Sequence, residues 1–184
     1  MTQTPLAASN PRVKQLRRLS RRSERSERRL FLADGPKAVE GALAAGCVEE
    51  VLCRPDAVGL LPDLPADVRR TLVDERALAA LSDSVSPAGV VAVCRFVDVP
   101  LERAFTEQSR LVAICADVRD PGNAGTVVRC ADAAGADSVV LAGSSVDLYN
   151  PKTLRASVGS AFHLPVAVEP DPFAAVRAAQ AAGL

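Results

Sequence analysis

Asn123 and Arg129 are the polar side chains in this sequence whose types and spacing best suit a site for chemistry. They stand six residues apart. Asn123 is the last residue of the polar turn 117–123, which follows the apolar run 111–116. This order predicts a buried strand, a Gly/Pro turn, an amphipathic helix and a second strand. Ligands of open parallel α/β sheets bind beyond the carboxyl ends of the strands. We therefore expect Asn123, at or just before the helix start, and Arg129 to lie near such a ligand-binding edge.

The turn fits neither of two common nucleotide-binding motifs. A dinucleotide-binding turn needs GxGxxG, whereas this one has only Gly122 and Gly125. A Walker loop needs Gly-Lys-Ser/Thr, which does not follow. Composition alone favours an ordinary βα turn, in which Asn123 caps the helix and Arg129 is solvated. The two glycines would also let the backbone approach a ligand closely.

The second half of the chain alternates strands with helices. We predict strand 110–116, loop 117–123, helix 124–134, strand 138–142, a loop through residue 150, helix 151–161, strand 164–168 and helix 171–182. Strands joined by helical crossovers pair in parallel, so this half predicts a parallel sheet. Three parallel strands would leave an apolar edge exposed, and we therefore expect a sheet that is truncated or completed from elsewhere.

The first half alternates in the same way and predicts a small α/β/α domain with its own sheet. Its predicted strands are 30–33, 48–53, 70–73 and 90–96. One predicted helix follows the first strand and ends at residue 45, and another spans 75–81. Residues 98–108 interrupt the alternation with a proline turn. We expect a domain at 1–97, a linker at 98–108 and a second domain at 109–184.

Basic side chains are concentrated near the start of the chain. Between positions 12 and 29 there are nine basic and two acidic residues, a net charge of about +7 in a chain that is neutral as a whole. The basic residues are Arg12, Lys14, Arg17, Arg18, Arg21, Arg22, Arg25, Arg28 and Arg29. Asn10-Pro11 predicts a helix start, and Val13, Leu16 and Leu19 predict one narrow docking face. One-sign clustering indicates contact with a polyanion such as nucleic acid rather than a merely solvated face.

Other classes of protein find little support. No apolar run reaches the ~20 residues of a membrane span, and no apolar region follows the N-terminal charges as in a secretory signal. A cytoplasmic location is the default expectation. None of the five cysteines forms a CxxC pair, and His163 is the single histidine. We therefore expect small buried thiols, no metal site and no Ser-His-Asp triad.

A family resemblance decides between these interpretations. The run Asn123–Arg129, followed by Ala-Asp-Ala-Ala-Gly-Ala, resembles the first motif of the SpoU (TrmH-type) branch of the SPOUT RNA methyltransferases. The segments 147–152 and 155–162 resemble the family's next helix. Residues 10–14, 30–35, 81–84 and 87–90 resemble the substrate-binding domain that precedes many members, although Asp34 stands where Glu is usual. The resemblance implies an N-terminal RNA-binding domain and a SPOUT (α/β knot) domain.

What the resemblance implies about activity is methyl transfer from S-adenosylmethionine to a ribose 2′-hydroxyl, with ribosomal RNA as the expected partner. By this analogy Arg129 is the central catalytic residue and Asn123 supports it. Guanidinium resists deprotonation, so a role as a fork-shaped donor to phosphate and to the developing alkoxide is favoured over that of a base. Arg155 is either a second phosphate contact or solvated. The substrate-binding candidates of the first domain are Arg17, Arg18, Arg21 and Arg22.

The family's later motifs, which form the knot and the cofactor pocket, do not occur before Leu184. We therefore expect the parallel-sheet domain to be truncated before the knot, the cofactor-binding residues to lie beyond Leu184, and this polypeptide not to bind S-adenosylmethionine tightly. Family members act as homodimers, so the complete protein is expected to be one. Two alternatives stay open: a non-catalytic RNA-binding module that keeps the fold, and an unrelated small-molecule α/β enzyme using the turn 117–123.

Overall fold

The computed structural model describes residues 4–184, which form two compact units with the boundary between Phe96 and Val97. The first unit contains α1 (Pro11–Arg17), α2 (Arg22–Arg28), β1 (Leu30–Asp34), α3 (Pro36–Ala44), β2 (Val48–Cys53), β3 (Arg69–Leu72), α4 (Glu75–Leu81) and β4 (Val90–Arg95). The second contains α5 (Leu101–Ala104), β5 (Val112–Ala116), α6 (Pro121–Ala133), β6 (Ser138–Ala142), α7 (Pro151–Ser157), β7 (Val166–Glu169) and α8 (Pro172–Ala181). No described helix is long and apolar enough to cross a membrane.

The sheet of the first unit is mixed and has the order β1-β4-β2-β3. Strand β4 runs antiparallel to both of its neighbours, and β2 runs parallel to β3. Every residue from Val90 to Cys94 is fully buried, because helices cover both faces of this central strand. Helices α1 and α4 pack on one side through a core that includes Leu16 and Leu78. This arrangement confirms the predicted α/β/α domain.

The basic segment of the first unit is two helices rather than one. Helix α1 begins with Asn10 as its N-cap, as predicted, but it ends at Arg17. A 3₁₀ turn, Arg18–Ser20, follows, and α2 begins after the extended residue Arg21. The predicted docking face is confirmed, because Val13, Leu16 and Leu19 all belong to the buried core.

The sheet of the second unit is parallel, as predicted, with the order β5-β6-β7. The central strand β6 is buried along its whole length, and its core neighbours come from β7, α5 and α8. The predicted linker 98–108 lies in this unit. Within that range α5 packs against β7, and Ala104 and Phe105 belong to the core.

Two predicted boundaries in the second unit are wrong. Helix α6 begins at Pro121, so the predicted loop 117–123 is shorter than expected. The predicted helix 151–161 stops at Ser157, because Val158 and Gly159 adopt left-handed backbone conformations with φ of 51° and 93°. A 3₁₀ turn, Ser160–Phe162, then leads towards β7.

Candidate functional site

Asp120, not Asn123, is the N-cap of α6. Its Oδ1 accepts a hydrogen bond of 2.8 Å from the backbone N–H of Asn123, and Pro121 occupies the first helical position. That backbone hydrogen bond, helped by the nearby Lys152 ammonium, lowers the pKa of the Asp120 carboxyl. Asn123 therefore keeps its side-chain amide available for another partner, because it is not used for capping.

The exposed side of α6 presents Asn123, Thr126 and Arg129 together. At 3.6 residues per turn, Asn123 and Arg129 are separated by roughly 120° around the helix and about 9 Å along it, with Thr126 between them. The opposite side of the helix is buried through Ala124 and Val128. The structure thus brings the two predicted catalytic residues onto one solvent-facing arc that begins beyond the carboxyl end of β5.

Helix α6 lies unusually close to α7 at Gly125. A Cβ at this position would lie 2.3 Å from the backbone oxygen of Thr153 and 2.6 Å from the Cβ of Ala156. The expectation that Gly125 lets the backbone approach a ligand is therefore wrong. This glycine permits the close packing of two helices, which fixes where the exposed arc of α6 points.

The turn before α6 is tied to the end of the neighbouring strand. Asp117 has a positive φ of 56°, an uncommon conformation for a residue with a side chain. Its backbone N–H donates to the oxygen of Ala142, and its Oδ1 accepts 2.8 Å from the N–H of Ser144. These bonds join the carboxyl ends of β5 and β6. Backbone strain of this kind is often found at functional sites.

Lys152 is a residue of this site that sequence reasoning missed. It follows the N-cap Asn150 in the first turn of α7, and its Nζ lies 3.4 Å from Oδ2 of Asp120. The two residues are distant in sequence, and only the packing of α6 on α7 brings them together. Arg155 is exposed on the last turn of α7, where it can reach solvent.

The predicted substrate-binding arginines of the first unit do not form one uniform group. Arg17, Arg21 and Arg22 are exposed. Arg18 is exposed too, but its guanidinium forms an ion pair with Glu24. The bend between α1 and α2 is lined by Lys14, Arg17, Arg18, Ser20 and Arg21. Within residues 4–184, no group of three or more His, Cys, Asp or Glu side chains could hold a metal ion.

Known proteins resemble this chain along most of its length. A crystal structure of an RNA 2′-O ribose methyltransferase is 32% identical and superposes with a TM-score of 0.79, covering 98% of this chain and 71% of that one. Residues 110–184 match the SpoU rRNA Methylase family, and residues 10–92 match the MRM3-like substrate binding domain. This chain belongs to the SpoU rRNA methylase family.

Other proteins that are similar to this chain are named as rRNA methyltransferases. The 23S rRNA (guanosine(2553)-2′-O)-methyltransferase RlmP of Bacillus subtilis is 38% identical over 161 residues, which is 87% of this chain and 62% of the relative. The AdoMet-bound rRNA methyltransferase from Sinorhizobium meliloti is 31% identical, with a TM-score of 0.80, and 69% of it is covered. Human mitochondrial rRNA methyltransferase 3 is 33% identical over 144 residues, and 34% of it is covered. The chain thus spans less than two thirds of the length of the Bacillus subtilis and human relatives.

Proposed function

We propose that this chain belongs to an S-adenosylmethionine-dependent ribose 2′-O-methyltransferase that acts on ribosomal RNA. The observation that carries the proposal is the exposed arc of α6. On this arc the chain, itself a member of the family, presents Asn123 and Arg129 beyond the carboxyl ends of its parallel strands. Relatives named as rRNA 2′-O-methyltransferases support the reaction and the RNA class. The basic segment in the MRM3-like substrate-binding domain supports the same partner.

Arg129 would act on the RNA as a cation with several fixed donors. Guanidinium groups resist deprotonation in proteins, which disfavours Arg129 as the base for the 2′-hydroxyl proton. It can instead hold a phosphate through a bidentate pair and stabilise the negative charge that develops on the attacking ribose oxygen. The amide of Asn123, not engaged in capping, would orient the ribose from the same arc. Lys152, held by Asp120, would place a second cation at this end of the helix.

S-adenosylmethionine would supply the methyl group: its methyl–sulfur bond would break as the ribose 2′-oxygen forms the new carbon–oxygen bond, S-adenosylhomocysteine would leave, and the 2′-hydroxyl proton would pass to water. Near the start of α6, the amide of Asn123 and the ammonium of Lys152 from α7 suit the hydroxyl and phosphate groups of RNA. The carboxylates of Asp117 and Asp120 are engaged within the unit instead. They do not form an apolar slot for a purine ring, which ligand pockets usually provide. We therefore assign Asn123 and Lys152 to the RNA and none of these four residues to the cofactor.

The test is transfer of tritiated methyl groups from S-adenosylmethionine to bacterial ribosomal RNA by the full gene product. We expect Arg129→Ala to reduce kcat by about 10²-fold or more, as loss of a transition-state donor does elsewhere. The control is Arg103→Ala, because Arg103 is exposed on α5, away from the site on α6 and α7 and from the exposed apolar side chains of α8. Full activity of Arg129→Ala would refute the proposal. RNA binding without any methyl transfer by the unmodified protein would favour a non-catalytic module.

We also propose that the complete protein is a cytoplasmic homodimer. Exposed apolar side chains on the second unit support a protein interface there: Phe173 is 74% exposed and Val176 44% exposed on the first turns of α8. Sedimentation equilibrium of the full gene product measures the oligomeric state directly. A monomer at micromolar concentration would contradict this part of the proposal.

A further inference from the structure

We propose that the bend between α1 and α2 is a preformed binding site for the phosphate backbone of RNA, built by Lys14, Arg17 and Arg21. This inference rests on the proposed function. It assigns a defined site and ligand chemistry to a segment that composition describes only as basic.

Five of the nine basic residues in this segment are engaged by the first unit itself. Each interacts with a nearby acidic, carbonyl or aromatic partner in the same unit. Arg12 pairs with the buried carboxylate of Glu50 at 2.5 Å, Arg18 pairs with Glu24, Arg25 donates to the carbonyls of Leu19 and Ser20, Arg28 donates to the carbonyl of Gln15, and Arg29 stacks 4.3 Å from the ring centroid of Phe96. The contacts of these five side chains therefore stabilise the fold of the first unit.

The remaining four side chains, those of Lys14, Arg17, Arg21 and Arg22, make no hydrogen bond or ion pair with any other residue in the described range 4–184. Three of the four line a concavity of about 540 Å³ at the bend; Arg22 does not. Lys14 and Arg17 stand three residues apart on α1, where like charges repel one another, and Arg21 adds a third positive charge at the bend. An anion in the concavity would remove this repulsion, so the cluster is better explained by a ligand than by the fold.

The shape of the concavity is set before any ligand arrives. Arg25 is only 3% exposed, and its Nη1 donates 2.9 Å and 2.8 Å hydrogen bonds to the carbonyls of Leu19 and Ser20, which hold the 3₁₀ turn. Leu16 and Leu19 anchor the same bend in the core. A ligand would therefore order long side chains but not the backbone, which lowers the entropy cost of binding.

The lining of the concavity selects phosphate groups rather than bases. No aromatic side chain is among the described residues that line it, so stacking with bases is not available there. Lys14, Arg17 and Arg21 present only hydrogen-bond donors, which suit the acceptor oxygens of phosphate groups. We therefore expect this site to hold the RNA backbone without reading sequence.

The experiment measures the affinity of the full gene product for a short RNA hairpin at KCl concentrations between about 50 and 200 mM. The double variant Arg17→Glu/Arg21→Glu is compared with Arg70→Glu/Arg103→Glu, which changes the net charge equally. Arg70 and Arg103 are exposed and lie on β3 and α5, outside the basic segment. We expect the first variant to bind about tenfold or more weakly and to reduce the slope of log K against log[salt] by about 1.5, since two phosphate contacts are lost.

The matched control should keep a slope within about 0.5 of the unmodified protein. Equal weakening in both double variants would show a general charge effect and would overturn the proposal, as would an unchanged slope in the first. Circular dichroism of each variant checks that the fold is retained. Methyl transfer is measured separately: the Arg17/Arg21 variant should raise KM for RNA and leave kcat at saturating RNA unchanged. If no variant transfers methyl groups, the proposed function fails while the binding result still stands.

Discussion

Replacing Gly125 by alanine gives a direct test of how the arc of α6 is positioned. The added methyl group would lie 2.3 Å from the backbone oxygen of Thr153 and 2.9 Å from the backbone nitrogen of Ser157. Neither atom belongs to a flexible side chain, so the clash cannot be relieved by a rotamer change. The two helices must separate by about 1 Å to restore ordinary contact distances, and well-packed interiors resist such shifts.

The expected cost is the difference between two opposing effects. Alanine is favoured over glycine inside a helix by about 1 kcal/mol. Overpacking a close contact costs typically 1–3 kcal/mol and occasionally more, and a clash with backbone on the neighbouring helix belongs at the upper end of that range. We therefore expect Gly125→Ala to lower the free energy of unfolding of the second unit by about 2 kcal/mol.

Urea denaturation, with hydrogen exchange of β5–β7 amides to report on the second unit, measures this change. The control is Gly59→Ala, because a Cβ at Gly59 would meet no atom within 4 Å. That variant should be neutral or stabilised by up to about 1 kcal/mol. If Gly125→Ala were as stable as the unmodified protein, the close approach of α6 and α7 would not limit this position and our account of the site would be refuted.

Two further variants test contacts in the second unit. Tyr149 is buried, and its hydroxyl accepts hydrogen bonds of 2.7 Å from two backbone N–H groups and donates one to Asp98. Tyr149→Phe should therefore lower the free energy of unfolding by about 1–3 kcal/mol in urea titrations. An unchanged denaturation midpoint would contradict this prediction. Hydrogen bonds from the backbone N–H groups of Arg110 and Leu111 lower the pKa of the Asp137 carboxyl. Because that pKa is lower in the folded state, the carboxylate's stabilisation is complete above its unfolded pKa of about 4 and is lost as the pH falls through the folded value. The stability difference between the unmodified protein and Asp137→Asn should therefore shrink below about pH 4 in urea titrations, and a pH-independent difference would count against this role.

The features that could be predicted are those encoded by neighbouring residues. Asn10 and Asn150 each precede a proline, and both are helix N-caps in the structure. The same rule, applied to Asp120-Pro121, would have given the true start of α6. The predicted helix start near Asn123 is therefore wrong. A local signal for the correct boundary was present in the sequence.

The packing of the site could not be predicted in this way. The ion pair between Asp120 and Lys152 and the close approach at Gly125 both depend on how α6 crosses α7. Residues far apart in sequence meet there because of tertiary packing, which no local pattern encodes. The left-handed backbone at Val158, which ends α7, is a similar case, because a β-branched residue is not expected to have a positive φ.

The charge of the basic segment shows why composition overestimates a binding site. Nine basic residues indicate a strong polyanion contact, yet most are engaged by partners that sequence alone does not reveal, such as the buried carboxylate of Glu50 and the carbonyls capped by Arg25. Only four side chains remain to neutralise phosphates. Each phosphate contact contributes about 0.7–0.9 to the salt slope, so this segment can account for a slope of at most about 3 to 4, not the 6 to 8 that nine free cations would give. A measured contribution near the larger value would mean that the internal ion pairs open when RNA binds.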